Sequence, residues 1–231
     1  MMKILLSGCG GMMGKALSQY VEKRTDCCIA AGIDPKMPVG CTYPVFPSPE
    51  SCSIPVEVVI DFSRPSSLHG LLAYSLRNCV PAVIATTGYS PEQTALIREV
   101  SESVPLFFSA NMSLGISLMA ELAQKAARIL SDSFDIEMIE KHHRKKADAP
   151  SGTALMLADE MQIGNITIHS VRGGTIAGEH EILFAGHDEL LSIKHTALSR
   201  EIYAAGALKA AKYLTGCPNG LYTMKDLIET F

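Results

Sequence analysis

Short apolar runs alternate with longer amphipathic stretches through the first half of the chain. That is the rhythm of βαβ units, in which parallel strands buried on both faces read as near-continuous hydrophobic segments. Runs at 3–7, 28–33, 56–62, 81–87 and 105–110 predict five strands, with helices over 14–23, 66–77 and 91–103. Ser90, Pro91 and Glu92 make a helix opening: a capping hydroxyl, a residue with no N–H to leave unpaired, and an acid in the first turn. Positions 35–55 hold six of the twelve prolines and predict a loop with room for one short strand.

Beyond the fifth strand, 114–130 has helical period, with Leu118, Leu122, Ala126 and Leu130 along one face. At Phe134 the period drops to two: Phe134, Ile136 and Met138 alternate with Asp135 and Glu137. Strands at 166–172, 179–184 and 190–195 follow without helices between them, so an antiparallel or mixed sheet is expected. Positions 200–214 return to helical spacing. The fold class is therefore α/β, an N-terminal Rossmann-type parallel sheet with a second α+β domain built on a mixed sheet.

Composition narrows the function. A net charge of −4 gives no global attraction to nucleic acid, so an anion must be held by a local cluster. The seven cysteines include no CxxC pair and no zinc-like spacing. We expect reduced thiols, no metal site and a cytoplasmic location. The apolar start at 1–7 is too short for a signal segment, and no run approaches the ~18 residues that span a bilayer. No membrane contact is expected.

The first strand runs into a turn with Gly8, Gly11 and Gly14, and a helix follows. A phosphate at a helix start meets free backbone N–H groups, and glycines let the main chain come close. The spacing is GxxGxxG rather than GxGxxG, and such a turn can be purely structural. Its place after the first strand, with Asp34 about 20 residues past the last glycine, favours a dinucleotide whose ribose hydroxyls that acid accepts. Asp34 suits NAD, whereas Lys36 could attract the 2′-phosphate of NADP, so the choice stays open. Ala85-Thr-Thr-Gly88 and Ser109-Ala-Asn-Met112 sit after later strands; on their residues alone they read as ordinary βα loops.

The segment from Glu140 to Lys146 carries two histidines and four cations, then leads into Asp148-Ala-Pro-Ser-Gly-Thr153. Ser151 can cap a helix whose first N–H groups, near Gly152 and Thr153, would face a carboxylate. A histidine among cations is disfavoured as imidazolium until a bound dianion restores it, which ties proton donation to substrate. Adjacent strand residues point to opposite faces, so His142 and His143 should do different work.

Taken together these segments resemble the dihydrodipicolinate reductase family of bacterial lysine and diaminopimelate synthesis. The resemblance runs nearly end to end, through the glycine turn, Ile60-Asp-Phe-Ser-Arg-Pro65, both βα loops, Glu140 to Thr153, Gly178-Glu-His180 and Ser199-Arg-Glu-Ile-Tyr203. It implies NADH- or NADPH-dependent reduction of 4-hydroxy-tetrahydrodipicolinate/dihydrodipicolinate to tetrahydrodipicolinate. By resemblance His142 is the acid that protonates the ring, with Lys146 a second donor. His143, Ser151, Gly152, Thr153 and Arg200 would hold the two carboxylates. Gly8, Cys9, Gly10, Gly11, Met12, Met13 and Asp34 would take the dinucleotide. Ala85, Thr86, Thr87, Ser109, Ala110, Asn111 and Met112 would line the nicotinamide, which reverses the residue-only reading of those loops. The resemblance further implies a dinucleotide domain of residues 1–113 and 201–231, and a substrate and oligomerisation domain of 114–200 whose sheet joins a homotetramer.

Some positions depart from the family pattern. Met12 stands where many members carry arginine, Ala85 replaces a glycine, Met112 replaces a phenylalanine, and the 159–166 connection is short. Two rival readings differ in the second half. Another Rossmann oxidoreductase acting on amino or imino dicarboxylates need not carry Glu140 to Thr153. A non-enzymatic nucleotide sensor would have no use for His142 and Lys146.

Overall fold

A computed structural model describes residues 1–164 and 166–231, which divide into two compact units, 1–112 with 201–231 and 113–200. In the first unit β1 (Met2–Ser7), β2 (Cys27–Ile33), β3 (Val45–Phe46), β4 (Val58–Asp61), β5 (Ala82–Ile84), β6 (Pro105–Phe108) and β11 (Gly220–Tyr222) form one parallel sheet. Its order is β11-β6-β5-β4-β1-β2-β3. Ile4, Leu6, Val58, Ile60, Val83 and Phe107 are fully buried, as a strand covered on both faces requires.

One face packs on α2 (Leu68–Asn78) and α3 (Pro91–Ser101) through Leu68, Leu71, Leu72, Ile97 and Val100. On the other, α6 (Glu201–Leu214) runs across β4, β5 and β6 beside α1 (Met12–Glu22). Ala204, Ala207, Ala210 and Ala211 of α6 are buried, so its small residues let the helix lie close. Gly206 is the tightest point: a Cβ there would stand 1.7 Å from the Met112 carbonyl oxygen. The proline-rich stretch is loop apart from β3, which pairs with Gly32 and Ile33, and a short 3₁₀ turn.

In the second unit β7 (Asp135–His142), β8 (Thr167–Arg172), β9 (Gly178–Ala185) and β10 (Leu190–Ala197) form a mixed sheet in the order β10-β9-β7-β8. Only β7 and β8 are parallel, joined through α5 (Gly152–Met161). The 159–166 connection includes residue 165, which lies outside the described residues. α4 (Leu114–Leu130) and α5 cover one sheet face, where Met138, Ile182 and Phe184 meet Ile116, Met119, Ala123, Leu157 and Met161.

Only part of the apolar stripe expected on α4 lies on its buried side, where Ala126 and Leu130 pack at the edge of the core. Leu118 and Leu122 are 48% and 47% exposed, whereas Ile116, Met119, Ala120, Ala123 and Ala127 face inward. Three alanines allow the helix a closer approach to the sheet than a leucine row would. Also absent from the sequence reading are β11 and α7 (Met224–Ile228), whose three and five residues are too short to show a period.

Gly206→Ala forces a methyl group onto the Met112 carbonyl. We expect a loss of about 2–3 kcal/mol and a Tm lower by roughly 5–10 °C, read by circular dichroism. An unchanged Tm would mean that α6 can shift freely on the sheet.

Candidate active site

The second unit gathers its polar chemistry on the helix-covered face of its sheet. Residues two apart on a strand share a face, which puts Glu140 and His142 of β7 side by side. His180 of β9 stands opposite Glu140 in the register, and His195 of β10 opposite His180. Arg172 ends β8 opposite His142.

Glu140 is completely buried and every lone pair is answered. Its Oε2 accepts from His142 Nδ1 at 2.5 Å and Arg172 Nη1 at 2.8 Å; its Oε1 accepts from Arg172 Nη2 at 2.5 Å and Ser151 N at 3.2 Å. Burial by itself would raise the carboxyl pKa. Bonds from Arg172, Ser170 and His142 together outweigh it and hold the group down at about 2. An ionised carboxylate can only accept, so His142 carries a proton on Nδ1. Its free nitrogen is then Nε2, which lies 3.2 Å from where a Cβ on Gly178 would be.

Three influences set the His142 proton. Burial is the largest and lowers its pKa, the Glu140 carboxylate opposes that, and Lys146 and Arg172 add to the lowering. His180, edge-on to His142 with ring centroids 5.2 Å apart, is lowered to about 4, again first by burial and next by His142. Its Nε2 lies 3.1 Å from the Ser151 hydroxyl, which accepts from Ala154 N and caps α5. A similar pairing recurs one strand away: His195 Nε2 lies 3.4 Å from the Ser113 hydroxyl that caps α4.

The helix start at Ser151–Thr153 forms as its residues suggest. A Cβ on Gly152 would meet nothing within 4 Å, so the space above the first N–H groups is open. The expected cation cluster does not act as one group. Lys141 points to the opposite sheet face, where it pairs with Glu179 at 2.5 Å, whereas Lys146 pairs with Asp148 at 2.8 Å. Arg172 Nη2 also donates to the Asp148 carbonyl, tying that loop to Glu140. His143 is half-buried just beyond β7, and Arg200 is exposed at the last position before α6.

In the first unit the three turn glycines divide the work. Gly8 has φ +79°, and a Cβ there would stand 2.5 Å from the Phe62 carbonyl oxygen. Gly14 packs against the Gly8 carbonyl, and Gly11 starts α1 with no side-chain cap, leaving the first N–H groups open. Asp34 Oδ2 accepts from Gly10 N at 3.0 Å and Oδ1 from Lys36 N at 2.9 Å, which pins the turn to the end of β2. A cavity of about 110 Å3 lies between this turn, Asp34, Pro35, Ser63 and Arg64. Met12 and Lys36 are exposed beside it, and the Cys9 thiol is buried and pushed up to about 12 by that burial, with Cys41 and Asp34 adding. In the later loops Thr86 is buried with its hydroxyl on Asp61, Ser109 Oγ bonds the Asn111 backbone, and Met112 is buried. Ala85, Thr87 and Ala110 accompany them at the same strand ends.

Four participants were not named as site residues from sequence: Glu140 as a proton partner, Arg172, His180 and Asp61. The two-residue period flags Glu140 beside His142. The others depend on strand register or on which loop ends meet, which one sequence does not display. Among the described residues no group of three acidic, histidine or cysteine side chains could hold a metal ion.

Removing the negative charge while keeping the shape, Glu140→Gln, should lower the His142 pKa further, as read from imidazole nitrogen shifts in NMR. A rise or no change would separate the two groups electrostatically. Stability follows the same charges. His180 has its unfolded value near 6.5 and about 4 when folded, so its contribution is present above 6.5 and fades as pH drops toward 4. Glu140 contributes above about 4.5 and loses it toward 2. The urea midpoint of the protein should therefore fall from pH 7 to pH 4; a midpoint that rises on acidification contradicts both assignments.

Two family models match the chain, described as dihydrodipicolinate reductase, N-terminus, over residues 2–112, and dihydrodipicolinate reductase, C-terminus, over residues 115–228. A 4-hydroxy-tetrahydrodipicolinate reductase from Clostridium novyi (strain NT) is 46% identical over 250 aligned positions, covering 100% of this chain and 99% of the relative. One from Clostridium tetani is 42% identical with 100% and 98% covered. Both alignments run longer than this 231-residue chain, so the relatives carry residues that it lacks. Among solved structures, a dipicolinate-bound dihydrodipicolinate reductase from Paenisporosarcina sp. TG-14 has TM-score 0.85 at 26% identity, with 96% of this chain and 97% of that one covered. A myo-inositol dehydrogenase from Corynebacterium glutamicum, TM-score 0.65 at 14% identity with 99% and 92% covered, shares the fold.

Proposed function

This chain belongs to the dihydrodipicolinate reductase family, and we propose that its two units divide one reduction between them, the first holding the dinucleotide and the second the dicarboxylate. It is an oxidoreductase that reduces 4-hydroxy-tetrahydrodipicolinate/dihydrodipicolinate to tetrahydrodipicolinate in diaminopimelate and lysine biosynthesis. The observation that carries the residue roles is the 2.5 Å His142–Glu140 pair within one hydrogen-bonded cluster with the helix start at Ser151.

The first unit suits a pyridine dinucleotide because the uncapped start of α1 leaves the N–H groups of Met12 and Met13 for phosphate oxygens, and Gly11 has no side chain to keep them away. Gly8, Cys9, Met12 and Met13 complete that turn, and Asp34 would take a ribose hydroxyl. Ala85, Thr86, Thr87, Ser109, Ala110, Asn111 and Met112 would border the nicotinamide, those whose side chains turn inward doing so through their backbone. The bound dinucleotide supplies the hydride that reduces the substrate ring. Asp34 beside Lys36 and Arg64 gives the ribose region both signs of charge, so NADH and NADPH each find a partner there.

In the second unit the Ser151 cap, Gly152 and Thr153 present a helix start to one carboxylate, with His143 and Arg200 taking the rest of the dianion's charge. Two carboxylates arriving near His142 offset Lys146 and Arg172 and raise its pKa, so the imidazolium forms where substrate is bound. Glu140 keeps Nδ1 protonated and stabilises that cation, leaving the Nε2 proton for the ring. Lys146 is the second donor. The relative solved with dipicolinate, itself a pyridine dicarboxylate, supports a flat dianion as the ligand.

The sheet face away from α4 and α5 carries Ile139, Val171, Leu183 and Leu190 around Lys141, Glu179 and Lys194, a surface suited to the same face of another copy and so to a homotetramer. No described helix is long and apolar enough to cross a membrane. A cytoplasmic location is part of the proposal and is supported by the family's biosynthetic role.

Oxidation of NADH and of NADPH, each with enzymatically generated substrate, tests reaction and cofactor together. Activity with at least one is expected, and none with either would overturn the reading. His142→Ala should lose at least about a hundredfold in kcat with the dinucleotide Kd near wild type. Thr153→Val and Arg200→Ala should act mainly through the KM for the dicarboxylate. Unchanged turnover in His142→Ala removes that residue from its role.

A further inference from the structure

The first unit contains a second buried carboxylate that the reaction itself does not use. Asp61, the last residue of β4, is 1% exposed in the middle of the parallel sheet, and no cationic side chain answers it among its hydrogen-bond partners. Hydroxyls do so instead. Its Oδ1 accepts from Ser63 Oγ at 2.5 Å and Ser63 N at 3.3 Å. Its Oδ2 accepts from Thr86 Oγ1 at 2.6 Å and Tyr89 Oη at 3.5 Å, and the Ser7 hydroxyl bonds the carboxylate too.

A buried charge without a cation is costly unless its lone pairs are filled, and filling them with hydroxyls constrains each hydroxyl in return. The partners come from different strand ends. Ser7 closes β1 just before the glycine turn, Ser63 follows β4, and Thr86 and Tyr89 follow β5. Backbone bonds at the same place, Phe62 N to Ser7 O at 3.0 Å and Ala85 N to Asp61 O at 3.0 Å, lock the three ends in register. Tyr89 extends the reach by packing edge-on against Phe108, with centroids 5.8 Å apart, at the end of β6 and just before Ser109.

Ligands of open parallel sheets bind beyond the carboxyl ends of the strands, where these loops begin. We propose that Asp61 is a positioning residue for the dinucleotide, drawing the Thr86 hydroxyl inward so that the backbone of the Ala85–Thr87 loop is presented to the nicotinamide half. This rests on the dinucleotide reading above. Burial is the largest influence on the Asp61 carboxyl and leaves its pKa raised, although the bonds from Ser63, Thr86 and Ser7 each favour the ionised form.

Asp61→Asn keeps the shape but turns one acceptor into a donor. Because Ser63 N occupies the Oδ1 side, the amide N–H groups must face Thr86 and Tyr89, and the Thr86 hydroxyl has to rotate away. Thr86→Val removes that link, together with the hydroxyl's bond to Tyr89, and Thr86→Ser restores both. Titration of NADH, NADPH and ADP-ribose against each folded variant separates the halves of the cofactor. For whichever reduced dinucleotide the wild type binds, Kd should rise about tenfold in Asp61→Asn and Thr86→Val and return to within threefold in Thr86→Ser, while Kd for ADP-ribose moves less than twofold. Equal weakening of ADP-ribose would make Asp61 a general prop of the sheet and overturn the proposal, as would an unchanged Kd for the reduced dinucleotide in both variants. If Asp61→Asn fails to fold, the Thr86 pair decides alone. Wild-type protein that binds neither dinucleotide would instead overturn the underlying reading.

Discussion

A carboxylate with no exposed surface has to be answered on all sides or neutralised, and Glu140 is answered. Four donors from β7, β8 and the cap of α5 converge on it, so His142, the loop that carries Asp148 and the start of the helix are held by one charge. His142 owes its tautomer to that charge, and the Ser151 cap owes its place to it. A cluster of this kind is fixed before any ligand arrives, so little reorganisation is left to the reacting state. Its cost is stability in acid, which the protein can accept at neutral pH.

The two units solve the same problem differently. In the second, Glu140 is balanced by a guanidinium, which stays charged, and by an imidazole, which can gain or lose a proton. In the first, Asp61 is held by hydroxyls, which stay neutral whatever happens nearby. A proton-handling site needs groups that can change charge.

Much of this was legible in the chain itself, element by element. Parallel strands buried on both faces left runs that needed no alternation to be seen, and the Ser90-Pro91 opening caps α3 through Gln93 N, as its residues suggest. The mixed sheet followed from period-two runs without helices between them. What escaped has a physical cause in each case. The buried side of α4 is set by alanines, whose small size brings the helix close but gives a weak hydrophobic signal. The cations of 141–146 were counted as one cluster, but the pleat sends Lys141 to Glu179 on the opposite face. Arg172 and His180 reach Glu140 and Ser151 by register, and register is a property of pairs of strands rather than of any one segment.

One feature of the first unit bears on how the polypeptide acquires its shape during synthesis. The covering of β4, β5 and β6 on one side is α6, and the outermost strand next to β6 is β11; both are translated after the entire second unit. Residues 113–200, by contrast, are contiguous, with every strand and helix of their core delivered in one stretch. The nascent chain therefore completes residues 113–200 first, while an apolar face of the other unit's sheet stays uncovered until α6 leaves the ribosome. Gly206, which must fit against the Met112 carbonyl already in place, lets that helix close down on the sheet before β11 is added beside β6.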